Sequence, residues 1–344
     1  MLKTRGFVFV FIALIIIVLS LGAVGCGSKQ EADISQNGQD KDTGKPKDKV
    51  IVTLDWTPNT NHTGLYAAKD MGYYEAEGID VEIVQLSGST VEQLVATGKS
   101  HFGVSYQEAV TYARLSDIPV VSIAAVIQHN TSGFASLKSK GIATPKDFEG
   151  KRYGGWGSPV EEATIKALME KYNADFSKVQ ILTTGAADFF VTSEKNADFS
   201  WTFFGWDGVA AEIKGVELNY IELGKVDPAL DYYTPVLIAG EALIKDNPDL
   251  VKRFMRATTK GYEYAIEKPE EAANILLVNA PELEEDLVVA SQIWLSDKYR
   301  AEAKVWGIQN KEVWENYSEW LFKNGLIEAK PDIDRAFTNE FINK

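Results

Sequence analysis

The chain alternates twice between short apolar runs and amphipathic stretches, and this limits its fold more than any other feature. Apolar runs at 50–54, 79–84, 102–105 and 120–126 read as strands, with helical spacing at 65–77, 91–97 and 109–115 between them. The pattern restarts with strands at 152–155, 179–182, 199–203, 219–223 and 234–239 and helices at 159–172 and 209–214. From Pro248 onward the chain is almost wholly helical and rich in Glu, Lys, Ala and Trp. Strands alternating with helices build βαβ units on a largely parallel sheet, so the class is α/β. Two such blocks predict two lobes, with the chain crossing between them twice. The first lobe takes residues 50–135 and 235–344, with the helical C-terminal tail on it, and the second takes 136–234. Ligands of open α/β sheets sit beyond the carboxyl ends of the strands, so a cleft between the lobes is the expected site.

The N-terminus has a different character. Lys3 and Arg5 precede an apolar run from Phe7 to Leu21, followed by Gly22, Ala23 and Gly25. Positive charge, apolar stretch, then small residues is the layout of a secretory signal, here 1–25. The competing reading is an uncleaved membrane anchor, for which the run is just long enough. Ala23-Val24-Gly25-Cys26 resembles a bacterial lipobox, whose cysteine is acylated and becomes the mature N-terminus. The lipobox pattern prefers leucine where this chain has Ala23. Residues 26–49 then form a polar stretch without hydrophobic periodicity, a flexible tether between the lipid and the folded body. These features predict a protein held at the extracytoplasmic face of a bacterial membrane by its lipid.

Composition removes several classes. The net charge is −14, and loss of Lys3 and Arg5 with the signal takes it to −16. Such a surface opposes nucleic acid. Cys26 is the only cysteine, which excludes internal disulfides and multi-cysteine metal sites. His62, His101 and His129 are far apart in sequence, so neither a metal nor any other cofactor is expected. Gly98-Lys99-Ser100 lacks the glycine a P-loop needs at position 93, and Gly155-Trp156-Gly157 lacks the third glycine of a dinucleotide fingerprint.

The informative segments fall at strand ends. Asp55 to Gly64, DWTPNTNHTG, follows one strand and leads into a helix. Trp56 there can stack on a flat ring, while Asn59 and His62 can bond its edge. Asn59 equally reads as a turn or cap residue. In 154–162, GGWGSPVEE, Ser158 fits an N-cap, Pro159 the first helical position and Glu161 the far end of a capping box. Helix N-termini attract anions. Glu161 and Glu162 already occupy that first turn, so the site suits a ligand whose amino group donates to a carboxylate. Glu161 as a plain cap and Glu162 as a solvated charge remain equally open. Tyr106, Trp156, Trp206 and Tyr233 are further aromatic candidates near the ends of strands.

From residue 50 to the C-terminus the chain resembles the thiamine-pyrimidine-binding group of ABC importer proteins, which includes formylaminopyrimidine-binding lipoproteins. DWTPNTNHTG (55–64), GVSYQE (103–108) and GWGSPVEEA (155–163) carry the resemblance. It implies a two-lobed periplasmic binding protein of type II that closes on a small heterocyclic ligand and delivers it to a separate permease and ATPase. It also implies that Trp56 stacks on the pyrimidine, Asn59 and His62 bond its edge or tail, Tyr106 lines the first lobe, and Glu161 or Glu162 takes the amino group. The chain also resembles fungal enzymes that make the thiamine pyrimidine. Those carry a cysteine cluster and bind pyridoxal phosphate on a lysine, whereas this sequence has no cysteine after Cys26, so no enzyme activity is expected. Relatives of the fold that bind riboflavin, an alkanesulfonate or nitrate supply the alternative ligands, and a sensor or adhesin role without a transporter also stays open.

Overall fold

The computed structural model describes residues 46–342 apart from Ala186. The expected signal, Cys26 and most of the tether lie outside the described residues. The remainder of the tether is shorter than its sequence suggests, because the first strand already begins at Asp48 and pairs with Ile79.

In the first half of the chain β1 (Asp48–Thr53), β2 (Ile79–Val84), β3 (Phe102–Ser105) and β4 (Val120–Ala125) carry alternating or continuous buried residues, most of them apolar. A second set follows: β5 (Ser132–Leu137), β6 (Arg152–Gly155), β7 (Gln180–Thr183), β8 (Phe199–Phe203) and β9 (Leu218–Glu222). The last strand is β10 (Val236–Gly240). They form two sheets of identical plan, β2-β1-β3-β10-β4 and β7-β6-β8-β5-β9. In each sheet the strand next to last in this order runs antiparallel to both neighbours, β10 between β3 and β4 and β5 between β8 and β9. Those two strands are the ones that arrive from the other lobe. Each sheet is thus completed by a strand delivered through a crossing, which ties the two lobes together at their backbones.

The crossings run side by side. Val126 N–H donates to Pro235 O at 2.9 Å, and Asn130 N–H donates to Asp231 Oδ1 at 2.8 Å. The Asn130 side-chain amide adds a bond to Leu230 O at 2.8 Å. The first crossing precedes Ser132, so the expected boundary at 135/136 falls inside β5. The small residues Ser132, Gly133, Ala135 and Ser136 give this strand no sequence signal. Pairing on both edges, with β8 and β9, makes it a strand.

Helices α1 (Thr63–Asp70), α2 (Tyr73–Ala76), α3 (Val91–Ala96) and α4 (Gln107–Leu115) lie in the first chain segment. The expected single helix at 65–77 is divided by Gly72, whose φ of +71° leaves the helical region. The second segment contributes α5 (Pro159–Lys171), α6 (Phe189–Lys195), α7 (Val209–Ile213) and α8 (Leu223–Val226). After β10 come α9 (Glu241–Asp246), α10 (Pro248–Glu267), α11 (Pro269–Asn279), α12 (Glu285–Ser296) and α13 (Lys311–Lys323). The first sheet packs Phe102 against Phe254 of α10, with ring centroids 3.8 Å apart. The second sheet has its own core, in which Phe148 stacks on Phe199 at 4.1 Å and Phe134 is buried among both. Each fully buried side chain of this kind stabilises by roughly 1.5–3 kcal/mol. Helix α13 serves both lobes: Trp314 joins the core beside β10, while Tyr317, Trp320 and Leu321 join the core of the second sheet. Among the described residues no helix is long and apolar enough to cross a membrane.

Candidate ligand-binding site at the strand ends

The loop after β1 exposes one large aromatic. Trp56 is 58% exposed. Behind it the loop is rigidly bonded. The Asn59 side-chain oxygen accepts from Asn61 N–H at 2.9 Å, and its amide donates to Thr57 O at 3.0 Å. His62 is fully buried. Its Nδ1 accepts from Asn59 N–H at 3.2 Å, which leaves the ring proton on Nε2, 2.8 Å from Asp55 Oδ1. Asn59 is therefore a cap, and both ring nitrogens of His62 are engaged within the loop. The edge contacts that the resemblance implies for these two residues are not what their side chains make here. Asp55 and Trp56 are the groups this framework presents.

The loop after β6 is organised around Glu161. Its Oε1 accepts from Tyr153 hydroxyl at 2.5 Å and Trp156 N–H at 3.1 Å. Its Oε2 accepts from Gly157 N–H and Ser158 N–H, both at 2.7 Å. Residue 155 must be glycine for this, since a Cβ there would lie 1.9 Å from Glu161 Oε1. Burial, then the adjacent Glu161 charge, drives the Tyr153 hydroxyl far above its ordinary range. Convergent N–H groups at a helix N-terminus form an anion site. Here the chain's own carboxylate fills it. Glu161 is buried and fully bonded, so it has no free acceptor for a ligand amino group, and Glu162 is exposed on the helix surface. Ser158 caps α5 through a 3.3 Å bond from Val160 N–H. Trp156 is 49% exposed and leans on Trp201 of β8, with centroids 5.6 Å apart. The Trp201 indole N–H is buried without a partner among the described residues.

Between these loops lies the start of α4. Tyr106, between β3 and α4, has a half-exposed ring. Loss of water, then the charges of Glu108, Glu92 and Asp55, pushes its hydroxyl up to about 12. Two residues on, Glu108 Oε2 accepts from the Tyr317 hydroxyl of α13 at 2.9 Å. Tyr317 in turn stacks on Tyr232 at 4.0 Å. Burial pushes the Glu108 carboxyl up to about 7, with the Tyr317 bond opposing and the charge of Glu161 adding to it. Asp55, Tyr106, Glu108 and Glu161 thus form an electrostatically linked line from the first sheet's loops to those of the second.

Two sequence candidates stand apart from this line. Trp206, in the turn Phe204–Gly208, is half-buried against the core of the first sheet. Tyr233 is a core residue at the second crossing: its hydroxyl accepts from Asn310 N–H at 2.8 Å, and its backbone exchanges bonds with Gln107. Conversely, the sequence alone does not single out Glu108, Asp55 or Trp201. Glu108 and Asp55 lie within the segments 103–108 and 55–64, one in the first turn after a strand and the other at a strand's end. Trp201 gave no signal, because an aromatic within a strand reads as core. A separate groove of about 590 Å³ runs along β7, lined by Gln180, Leu182, Thr183 and Val191, and shares none of these groups. Among the described residues no three His, Cys, Asp or Glu side chains are grouped to hold a metal.

Known proteins share this organisation. The aliphatic sulphonate-binding protein SsuA of Escherichia coli superposes with a TM-score of 0.67 at 14% identity, over 86% of this chain and 99% of that one. The fold is therefore that of the two-lobed periplasmic binding proteins. In sequence, the formylaminopyrimidine-binding protein of Halalkalibacterium halodurans is 32% identical over 297 residues, 84% of this chain and 89% of that protein. The 4-amino-5-hydroxymethyl-2-methylpyrimidine phosphate synthase of Legionella pneumophila is 26% identical, covering 86% of this chain and 93% of that protein. Synthase relatives are thus found in a bacterium as well as in fungi. The family model described as NMT1/THI5 like matches residues 59–272. The chain belongs to the NMT1/THI5-like family.

Proposed function

We propose that this protein is the extracytoplasmic solute-binding component of an ABC importer, capturing a thiamine-precursor aminopyrimidine between its lobes and passing it to a permease. The observation that carries this reading is the filled anion site. With Glu161 holding the N–H groups of residues 156–158, that wall repels a sulfonate or phosphate and leaves exposed Trp56 and Trp156 as surfaces for a flat neutral ring. The relative that binds formylaminopyrimidine supports the same ligand class. A binding role rather than catalysis is supported by the lack of any cysteine after Cys26, since the resemblance assigns a cysteine cluster to the fungal synthases. Cys26, acylated, would hold the body at the outer face of the membrane.

A thermal-shift screen of aminopyrimidines, flavins and alkanesulfonates against the purified protein tests the ligand class. Stabilisation by an aminopyrimidine is expected, and stabilisation by a sulfonate alone would end the reading. Mass spectrometry of the membrane fraction tests the anchor. A Cys26→Ser protein that still partitions to membrane would point to an uncleaved span instead.

A further inference from the structure

Of the carboxylates near the strand ends, Glu161 has every acceptor position taken and Glu162 points to solvent. Asp55 has one oxygen held by His62. Glu108, like Asp55, has one oxygen held and one unpaired among the described residues, and it differs in meeting groups of both lobes. Its Oε2 is braced by a neutral donor, Tyr317, and its Oε1 has no partner among the described residues. It sits between Tyr106 of the first lobe and Glu161 of the second, where burial makes its charge costly.

We propose that Glu108 reads the amino-bearing edge of the ligand, pairing its carboxyl with an exocyclic N–H and the adjacent ring nitrogen of an aminopyrimidine. This rests on the reading of the site as a pyrimidine site and names the residue that recognises the ring. The edge of a 4-aminopyrimidine presents one donor beside one acceptor. A protonated carboxyl presents the complementary acceptor and donor, while a carboxylate has acceptors only and needs the proton on the ring. Either way the pair holds one proton. A carboxyl that titrates near neutrality supplies that proton below about pH 7, where the free protein already carries it. The groups facing Glu108 are Tyr317 of α13, Tyr232, Tyr106, Tyr112 of α4 and Glu161 of α5. Burial raises every one of those tyrosines, so none loses a proton in this range, and the proton shared between Glu108 and the ring carries the pH dependence.

The test uses two probes, 4-amino-5-hydroxymethyl-2-methylpyrimidine and its analogue without the amino group, titrated calorimetrically into the purified protein. Wild type is expected to prefer the amino compound by about 100-fold, and Glu108→Ala to bind both equally. Glu108→Gln keeps a donor, an acceptor and the Tyr317 bond, so it serves as the folded control. It is expected to stay within about tenfold of wild type at neutral pH, with an affinity that is flat above about pH 7, where that of wild type falls about tenfold per pH unit. If wild type discriminates and Glu108→Ala discriminates equally, or if only Asp55→Asn abolishes the preference, the assignment to Glu108 is wrong and the pyrimidine site survives. Wild type that binds neither probe overturns both.

Discussion

His129 Nδ1 lies 2.7 Å from Asp231 Oδ2, and through this contact a residue of the first crossing holds a residue of the second. Its Nε2 reaches Glu302 at 3.1 Å, so the imidazole also joins the crossings to the segment after α12. The Asp231 bond above all, with Glu302 adding, raises the His129 pKa to about 9 against an unperturbed value of 6.5.

A pKa raised on folding means that stability is fully present below the unfolded value and is lost as pH rises through the folded one. His129→Gln should therefore lower stability at about pH 6 and make little difference above about pH 9.5. The side chain is 51% exposed, so solvent screening limits the effect. It should amount to about 1 kcal/mol. Urea unfolding of both proteins across this range checks it, and a penalty that does not change with pH contradicts it.

Trp56 is more than half exposed and belongs to none of the buried clusters among the described residues. Trp56→Ala should leave the melting temperature nearly unchanged, a stability effect within about 0.5 kcal/mol. Affinity for an aminopyrimidine should fall about 100-fold through loss of the stacking surface. Parallel melting and calorimetry separate the two effects, and an unaltered affinity would remove Trp56 from the site.

His62 should behave in the opposite way. It is buried and bonded to Asn59 and Asp55. His62→Ala should cost on the order of 2–3 kcal/mol of stability by leaving those partners unmet. Affinity should fall only as the loop loosens. A variant with wild-type melting and no ligand binding would show His62 to be a direct contact after all.

Glu161→Ala empties the anion site at the start of α5. Three backbone N–H groups and the Tyr153 hydroxyl lose their acceptor, at a cost of about 3–5 kcal/mol. Sulfate at about 10 mM should recover part of this in the variant beyond its general effect on wild type, by entering the vacated site. Equal sulfate responses in both proteins would show that the N–H groups do not form an anion site without the carboxylate.

Local features were legible because their causes are local. Ser158, Pro159 and Glu161 are spaced for a capping box and form one, and Trp56 falls in the turn between a strand and a helix. The role of Glu161 was only half legible, because the cap is set within four residues while the Tyr153 bond depends on how β6 lies against α5. His62 looked available because nothing in its neighbours announces burial. Its position under the loop follows from helix α10 and the tail closing over α1, with Tyr262 bonded to Asn61 O at 2.8 Å across 201 residues of sequence.

The sequence by itself determined the α/β class, the alternation into two blocks and the turns that carry aromatic groups, since hydrophobic period and capping act over a few residues. Tertiary structure alone decided that Ser132–Leu137 is a strand, that Tyr233 is core, and that Glu108 has one bonded and one unbonded oxygen. Each of these depends on partners far away in the chain, β8 and β9, Asn310, and Tyr317, and such contacts are set by packing rather than by neighbours in sequence.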